Sequence, residues 1–227
     1  MVLAAAHAAP AARRWPVPFL FSTITKIRSD NAVALTFDDG PDQGLSAFLG
    51  LMEEAKARAT FFVVGEQVER DSSMLKELLS RGHEIGVHGY RHRNYLLMTP
   101  ANAVEDMRRA KDVVEEATGH PVRFFRPPYG RFSLASWLES DRQGWERVLW
   151  TRNSKDYARW ATPQSIVGNI GWPLAGDILL LHDSDRYGTL GSWRNTLEAL
   201  PIILERIAAL GLRASSIGEL LSTEKKR

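Results

Sequence analysis

Three features of the 227-residue sequence predict an α/β domain of barrel type. Short apolar β-like runs alternate with helical patterns from about residue 30 to the end, the mark of βα units rather than of an all-β or all-α chain. Several runs are nearly continuous in Val, Ile, Phe and Leu, as buried parallel strands require. No Pro/Gly-rich linker or composition break divides them, which favours one domain over two. A doubly wound open sheet is the structural alternative, although no G-x-G-x-x-G follows the first run.

The strands are expected at Val33–Phe37, Thr60–Val64, Glu84–Val87, Arg123–Arg126, Val148–Trp150, Ile178–Leu181 and Leu212–Ala214. Between the first two, Leu45, Phe48, Leu49, Met52 and Ala55 repeat at helical spacing, and Val104, Met107, Val113, Val114 and Ala117 do so later. Both faces should pack on the sheet. Asp71 can cap one helix start, Thr99-Pro100 supplies an N-cap followed by proline at the first helical position, and Gly82, Gly119 and Gly211 follow helix ends. The last long helix is ambiguous around Pro201.

Composition narrows the chemistry. A 44% hydrophobic content is enough for a full core. The net charge of +2, from 29 basic and 27 acidic residues, gives no strong field, so nucleic acid is not implied. Cysteine is absent, which excludes disulfides and thiolate metal sites but leaves His and carboxylate sites open. No apolar run approaches the roughly 18 residues of a membrane span. Ala6-His7-Ala8, before Ala9-Pro10, looks like a signal-peptidase site, yet a basic n-region is missing. A truncated export signal and a disordered Ala-rich N-terminus both fit.

Polar groups collect after the strand-like runs: Asp38-Asp39 after the first, His88 after the third, Arg126 closing the fourth, Asp156 beyond the fifth, His182-Asp183 after the sixth. In a parallel barrel those positions converge on one face. Adjacent residues in extended chain point opposite ways, so Asp38 and Asp39 should have different jobs, not act as a glycosidase pair. His88 and His92 in "HGYRH" stand four apart, a spacing that brings two imidazoles together on a helix or tight loop. Two neutral imidazoles and one carboxylate make a three-ligand site of the zinc hydrolase type, and a metal would relieve the repulsion between the two Asp residues. Asp183, Ser184 and Asp185 form a turn rather than a Ser-His-Asp hydrolase, because no G-x-S-x-G elbow is present.

"TFDDGP", "HGYRH", "RPPYG" and "LLHD", in this order, resemble the motifs of the polysaccharide deacetylase family, carbohydrate esterase family 4, over roughly residues 32–221. The resemblance implies a single distorted (β/α)7-type barrel and a divalent metal, usually zinc, that serves hydrolysis of N- or O-acetyl groups on sugars. Asp39, His88 and His92 match the family's metal triad, and Asp38 its catalytic base. Arg126 matches the arginine that holds the base, which would lower its pKa. The backbone N–H of Tyr129 matches the oxyanion donor, His182 the general acid and Asp156 the carboxylate that orients it. Leu180 matches the side chain that contacts the acetyl methyl. Three departures put substrate range in doubt: Gly89 stands where Ser or Thr usually follows the first metal histidine, Asn153 replaces an Asp, and Tyr157 replaces a Trp of the pocket wall. Trp160 could compensate by entering the pocket. Trp160, Trp172 and Trp193 lie in loop-like stretches, where packing is the default and stacking on sugar the alternative. His7, His83 and His120 match no motif, and surface or capping roles suffice for them.

The implied organisation is an N-terminal tail or export-signal remnant over 1–30, a catalytic domain over 31–222 and a C-terminal tail over 223–227. The expected activity is zinc-dependent N-deacetylation of N-acetylglucosamine units of a cell-wall glycan or an oligosaccharide, without nucleic acid or membrane-span partners. Acting on an O-acetyl ester or on a small or lipid-linked acetamido sugar is the alternative, and a catalytically weak glycan-binding module is the rival from another class. A secreted or cell-envelope location would follow from an export signal, a cytoplasmic one from its absence.

Overall fold

The computed structural model describes residues 7–8 and 21–224. The export-signal stretch therefore lies outside the described residues except for His7 and Ala8. Among the described residues, eight strands form one parallel sheet: β1 Ala32–Asp38, β2 Thr60–Val63, β3 Glu84–Val87, β4 Phe124–Phe125, β5 Glu146–Arg147, β6 Arg152–Asn153, β7 Ile178–His182 and β8 Arg213–Ser215. The helices are α1 Leu45–Glu54, α2 Gly65–Arg70, α3 Ser73–Ser80, α4 Pro100–Thr118, α5 Leu134–Arg142, α6 Pro163–Ile170, α7 Ser192–Ala209 and α8 Ile217–Glu224.

The sheet runs β5-β4-β3-β2-β1-β7-β6. Its two ends are consecutive pieces of chain, so the sheet curls into a distorted (β/α)7 barrel. The fifth expected strand, Val148–Trp150, is corrected by this closure. Glu146–Arg147 pairs with β4 and Arg152–Asn153 with β7, so the segment between them changes partner as it crosses the seam. Val148 instead bridges Ile24, and Ile27, 2% exposed, bonds through its N–H to the Gly176 carbonyl. Residues 24–27, placed by the sequence in a tail, thus belong to the barrel wall. The last strand, β8, pairs with the first half of β1, at Ala32–Ala34, while β2 takes the second half, at Thr36–Asp38.

β1 alternates strictly. Val33, Leu35 and Phe37 join the large cluster that packs beneath the helices, whereas Ala32 and Ala34 join the barrel interior with Phe62, Phe124, Val148 and Ile178. The bottom of that interior is closed by α8, whose Ile217, Leu220 and Leu221 fill it. A buried and a half-buried polar group pin this plug: Thr60 Oγ1 accepts the Ile217 N–H at 2.9 Å and Glu84 Oε2 the Gly218 N–H at 3.0 Å. Thr36 and Asp38 continue the interior face upward, so the base candidate ends a column of buried residues.

Helix signals agree in most places. Leu45, Phe48, Leu49 and Met52 are buried on α1, but Ala55 is its exposed C-terminal cap. On α4 the buried face is Ala103, Asp106, Met107, Ala110 and Val114, with Val104, Val113 and Ala117 half-buried at its margin. Thr99 Oγ1 caps that helix by accepting the Asn102 N–H at 3.3 Å, and Asp71 Oδ1 accepts the Ser73 N–H at 3.0 Å. Pro201 lies inside α7, which continues through it.

Candidate active site and metal centre

The C-terminal ends of the strands gather the expected residues around one cavity of about 460 Å³. Asp38, Asp39, His88, His92, Tyr129, Tyr157, Leu180 and His182 all line it. A larger groove of about 910 Å³ runs along α4 and α5, away from these groups.

Asp38 and Asp39 both reach His88, with Asp38 Oδ2 3.7 Å and Asp39 Oδ1 3.5 Å from its Nε2. The alternation that would send neighbouring side chains to opposite faces is broken at Asp39, where φ is 82°. The carboxylates still differ in surroundings. Asp38 Oδ1 accepts a hydrogen bond from Arg126 Nη1 at 2.5 Å, whereas Asp39 Oδ1 is buried with no hydrogen-bond partner among the described residues.

Arg126 is fully buried. Its Nη1 also donates to Thr36 Oγ1 at 2.9 Å and its Nη2 to the Leu149 carbonyl at 3.0 Å, while the guanidinium lies over the Phe62 ring at 4.1 Å. Burial raises the Asp38 carboxyl above its ordinary value, and the Arg126 charge and hydrogen bond offset only part of that. The lowering expected from Arg126 is present, but desolvation of a carboxylate with 2% exposure outweighs it.

His88 and His92 sit on a tight loop, not a helix, with rings 5.2 Å apart. Burial pushes both imidazoles down to about 3, so both are neutral at pH 7. His88 Nδ1–H donates to the Arg126 carbonyl at 2.7 Å, which leaves its Nε2 lone pair facing the cluster. His92 Nε2 lies 3.3 Å from Asp39 Oδ1. One ligand atom from each of Asp39, His88 and His92 falls within 4.8 Å of the others. Two neutral imidazoles, an orphaned buried carboxylate oxygen and this spacing fit a divalent cation; burial pushes the Asp39 carboxyl up to about 7 without one.

Gly89 does not leave the loop unsupported. The Asp106 carboxylate, reaching up from α4, accepts the Tyr90 N–H at 2.9 Å, the Arg91 N–H at 3.0 Å and the Tyr95 hydroxyl at 2.9 Å. Gly89 itself has φ 84°, and a Cβ there would meet the Tyr95 hydroxyl at 2.7 Å. A hydroxyl-bearing residue does not fit, and the buried Asp106 steadies the loop in its place.

The register of β1 and β7 sets Asp38 beside His182. His182 Nδ1 contacts Asp156 Oδ1 at 2.6 Å, and its backbone N–H donates to Asp156 Oδ2 at 2.8 Å. Thr196 Oγ1 holds the same carboxylate at 2.9 Å. Burial alone would lower the His182 pKa, but the Asp156 charge and hydrogen bond, with Asp39 and Asp38, raise it to about 10. The imidazolium is therefore the folded-state form at neutral pH. A group favoured in its charged form by folding adds stability that is complete below its unfolded pKa of about 6.5 and is lost as pH rises through about 10. In metal-stripped protein, the melting-temperature advantage over Asp156→Asn is expected to shrink between pH 6.5 and 10. An advantage independent of pH over that window would refute the assignment.

The remaining positions divide. Leu180, paired with Thr36 two residues below the Asp38–His182 pair, is 3% exposed and forms part of the cavity lining. Tyr157 stands edge-on to His182 with centroids 5.4 Å apart. Asn153 lines the cavity, and its Oδ1 accepts the Lys155 N–H at 2.8 Å. Tyr129 has φ 61° within the turn after β4. Trp160 is exposed and outside the cavity lining, whereas Trp150 lies inside it. Tyr187, Asn94 and Arg131 are further lining residues that motif reasoning missed. Only their positions just beyond three motifs, "HGYRH", "RPPYG" and "LLHD", could have marked them. Trp172 is exposed beneath Arg206, and Trp193 is half-buried against Gly44. His83 is not a surface residue: it is buried, accepts the Ala59 N–H at 3.2 Å and stands edge-on to Phe61. His120 is exposed, and a His7 ring nitrogen lies 3.3 Å from the Leu96 carbonyl. Ser184 Oγ accepts the Arg186 N–H at 3.2 Å, a local bond that agrees with a turn, and donates to Asp42 Oδ2 at 2.9 Å.

Fold and rim cluster together define a barrel of the carbohydrate esterase type. Within that class the chain belongs to the polysaccharide deacetylase family, whose sequence profile matches residues 25–148. A peptidoglycan-N-acetylglucosamine deacetylase of Bacillus cereus is 34% identical over 212 residues, covering 91% of this chain and 92% of that protein. The family 4 carbohydrate esterase from Streptomyces lividans, solved in complex with acetate, superposes with a TM-score of 0.74 at 27% identity, over 82% of this chain and 93% of its own. A Bacillus anthracis family 4 pseudoenzyme, in a mutant with restored enzymatic activity, gives a TM-score of 0.77 at 25% identity, over 88% of this chain and 71% of its own.

Proposed function

We propose that this chain is a metal-dependent deacetylase that removes N-acetyl groups from N-acetylglucosamine units of a glycan or oligosaccharide, releasing acetate and leaving a free amine. The observation that carries the reading is the convergence of Asp38, His182 and the Asp39–His88–His92 cluster on one cavity. Family membership alone would not suffice, since a pseudoenzyme shares the fold. The substrate named for the Bacillus cereus relative supports the choice of sugar.

The chemistry supplied by a bound divalent cation, zinc for a two-His, one-Asp set, is polarisation of the acetyl carbonyl and acidification of water. Asp38, held by Arg126, takes a proton from the water that attacks the carbonyl carbon. The Tyr129 N–H donates to the oxyanion that develops. His182, charged and oriented by Asp156, gives its proton to the sugar nitrogen as the C–N bond breaks, because an amide anion is too basic to leave. Leu180 and Tyr157 wall the acetyl group.

The test is acetate release from N-acetylglucosamine oligomers and peptidoglycan by metal-stripped protein, with and without Zn²⁺, beside His88→Ala. Activity restored by zinc in the parent, and absent from the variant at any zinc concentration, is the expected result. Release only from O-acetyl esters or from nucleotide- or lipid-linked acetamido sugars would replace the substrate and keep the site. A parent protein that binds no divalent metal would overturn the site.

A further inference from the structure

A metal-binding imidazole ordinarily donates its second ring N–H to a carboxylate or carbonyl, which fixes the plane of the ring. His88 follows that rule through the Arg126 carbonyl. His92 does not, because its buried Nδ1 has no hydrogen-bond partner on any other described residue.

What meets the His92 ring instead is aromatic. Tyr187 stacks on it, with centroids 4.3 Å apart and planes 16° from parallel, and Tyr129 approaches at 4.6 Å and 58°. Tyr187 is tied down at its far end. Its hydroxyl donates to Glu66 Oε1 at 2.7 Å and accepts from Gln67 Nε2 at 3.0 Å, both at the start of α2, and Arg70 in turn donates to Gln67 at 3.0 Å. A ring clamped at its hydroxyl end by an anchored helix start is a rigid platform.

We infer that Tyr187 is a positioning residue for the metal ligand His92, its stacked ring fixing the imidazole plane where no side chain or carbonyl of another described residue does so. The inference rests on the metal reading of the Asp39–His88–His92 cluster. Tyr187 also links the loop after β7, the strand that ends in the acid His182, to the loop after β3, which carries both imidazoles. The platform therefore couples the two halves of the site.

Loss of an outer partner of a metal ligand costs roughly 10- to 100-fold in metal affinity. Zinc titrated into the metal-stripped full chain, in competition with a chromogenic chelator, reads this without reference to turnover. Tyr187→Leu is expected to weaken zinc by about that factor while the metal-free melting temperature stays within a few degrees of the parent. Tyr187→Phe keeps the ring and is expected to remain within about threefold of the parent, a rescue that a general packing defect would not show. If the leucine variant loses the metal-free fold, Tyr187→Met, which fills similar space without a π face, is read by the same criterion. Zinc affinity within about threefold of the parent in the folded leucine or methionine variant overturns the role of Tyr187. A parent that binds no zinc would instead overturn the metal reading beneath it.

Discussion

Asp38→Asn is expected to lower acetate release by roughly 10²- to 10⁴-fold, the range for a general base, with zinc still bound. That factor corresponds to about 3–5 kcal/mol of barrier. The amide is nearly isosteric and its oxygen can still accept from Arg126, so the column Thr36–Arg126–Asp38 survives while the proton acceptor is lost. Asp39, one residue on, cannot substitute: its free oxygen points at the two histidines, 3.3 and 3.5 Å away. Rates for parent and variant at saturating zinc, with zinc affinity measured in parallel, separate the two Asp roles. Loss of zinc binding together with activity would mean that Asp38 is a ligand, and unchanged turnover would remove it from the mechanism.

Arg126→Met should be the most destabilising single change at the site. The substitution leaves a carboxylate of 2% exposure without its cation and removes the donor to Thr36 Oγ1 and to the Leu149 carbonyl as well. Removing one member of a buried pair costs about 3–5 kcal/mol, because an uncompensated charge remains inside. In a chain of this size that is a fall of roughly 10 °C in melting temperature. Turnover should fall too, since the substitution removes the charge and the hydrogen bond that lower the Asp38 pKa against its burial. His88 keeps its partner, because that partner is the main-chain carbonyl of residue 126, so zinc binding should survive better than activity. Thermal melts and zinc titrations of the variant check both halves. A melting temperature within about 2 °C of the parent would show that water, not Arg126, compensates Asp38.

Much of the rim was legible in the sequence because each functional residue lies at or just beyond a strand end, and apolar runs locate strand ends well. β1, β3 and β7 fall within a residue of their expected limits, and the residues at or beyond them, Asp38, His88 and His182, line the cavity. The fifth run was misplaced because Val148–Trp150 is apolar enough to be a strand, yet closure of the barrel splits its neighbours between two partners. No local pattern carries that information. The same holds for residues 24–27, whose role as barrel wall depends on Val148 and Gly176 more than a hundred positions away.

The sequence by itself determined the class of fold and the set of polar groups after the strands, since residue type and position after a strand are local properties. The acid, base and ligand roles came from the resemblance of four motifs to the polysaccharide deacetylase family. Tertiary structure alone decided how these groups act on one another. The positive φ at Asp39 turns two neighbours onto one histidine, where alternation predicted divergence. The depth of Asp38 lets desolvation outweigh Arg126, which charge counting could not reveal. Asp106 and Tyr187 support the two ends of the histidine loop from elements distant in sequence. Desolvation, ring stacking and loop support are sums over neighbours in space, and those neighbours exist only once the sheet has curled.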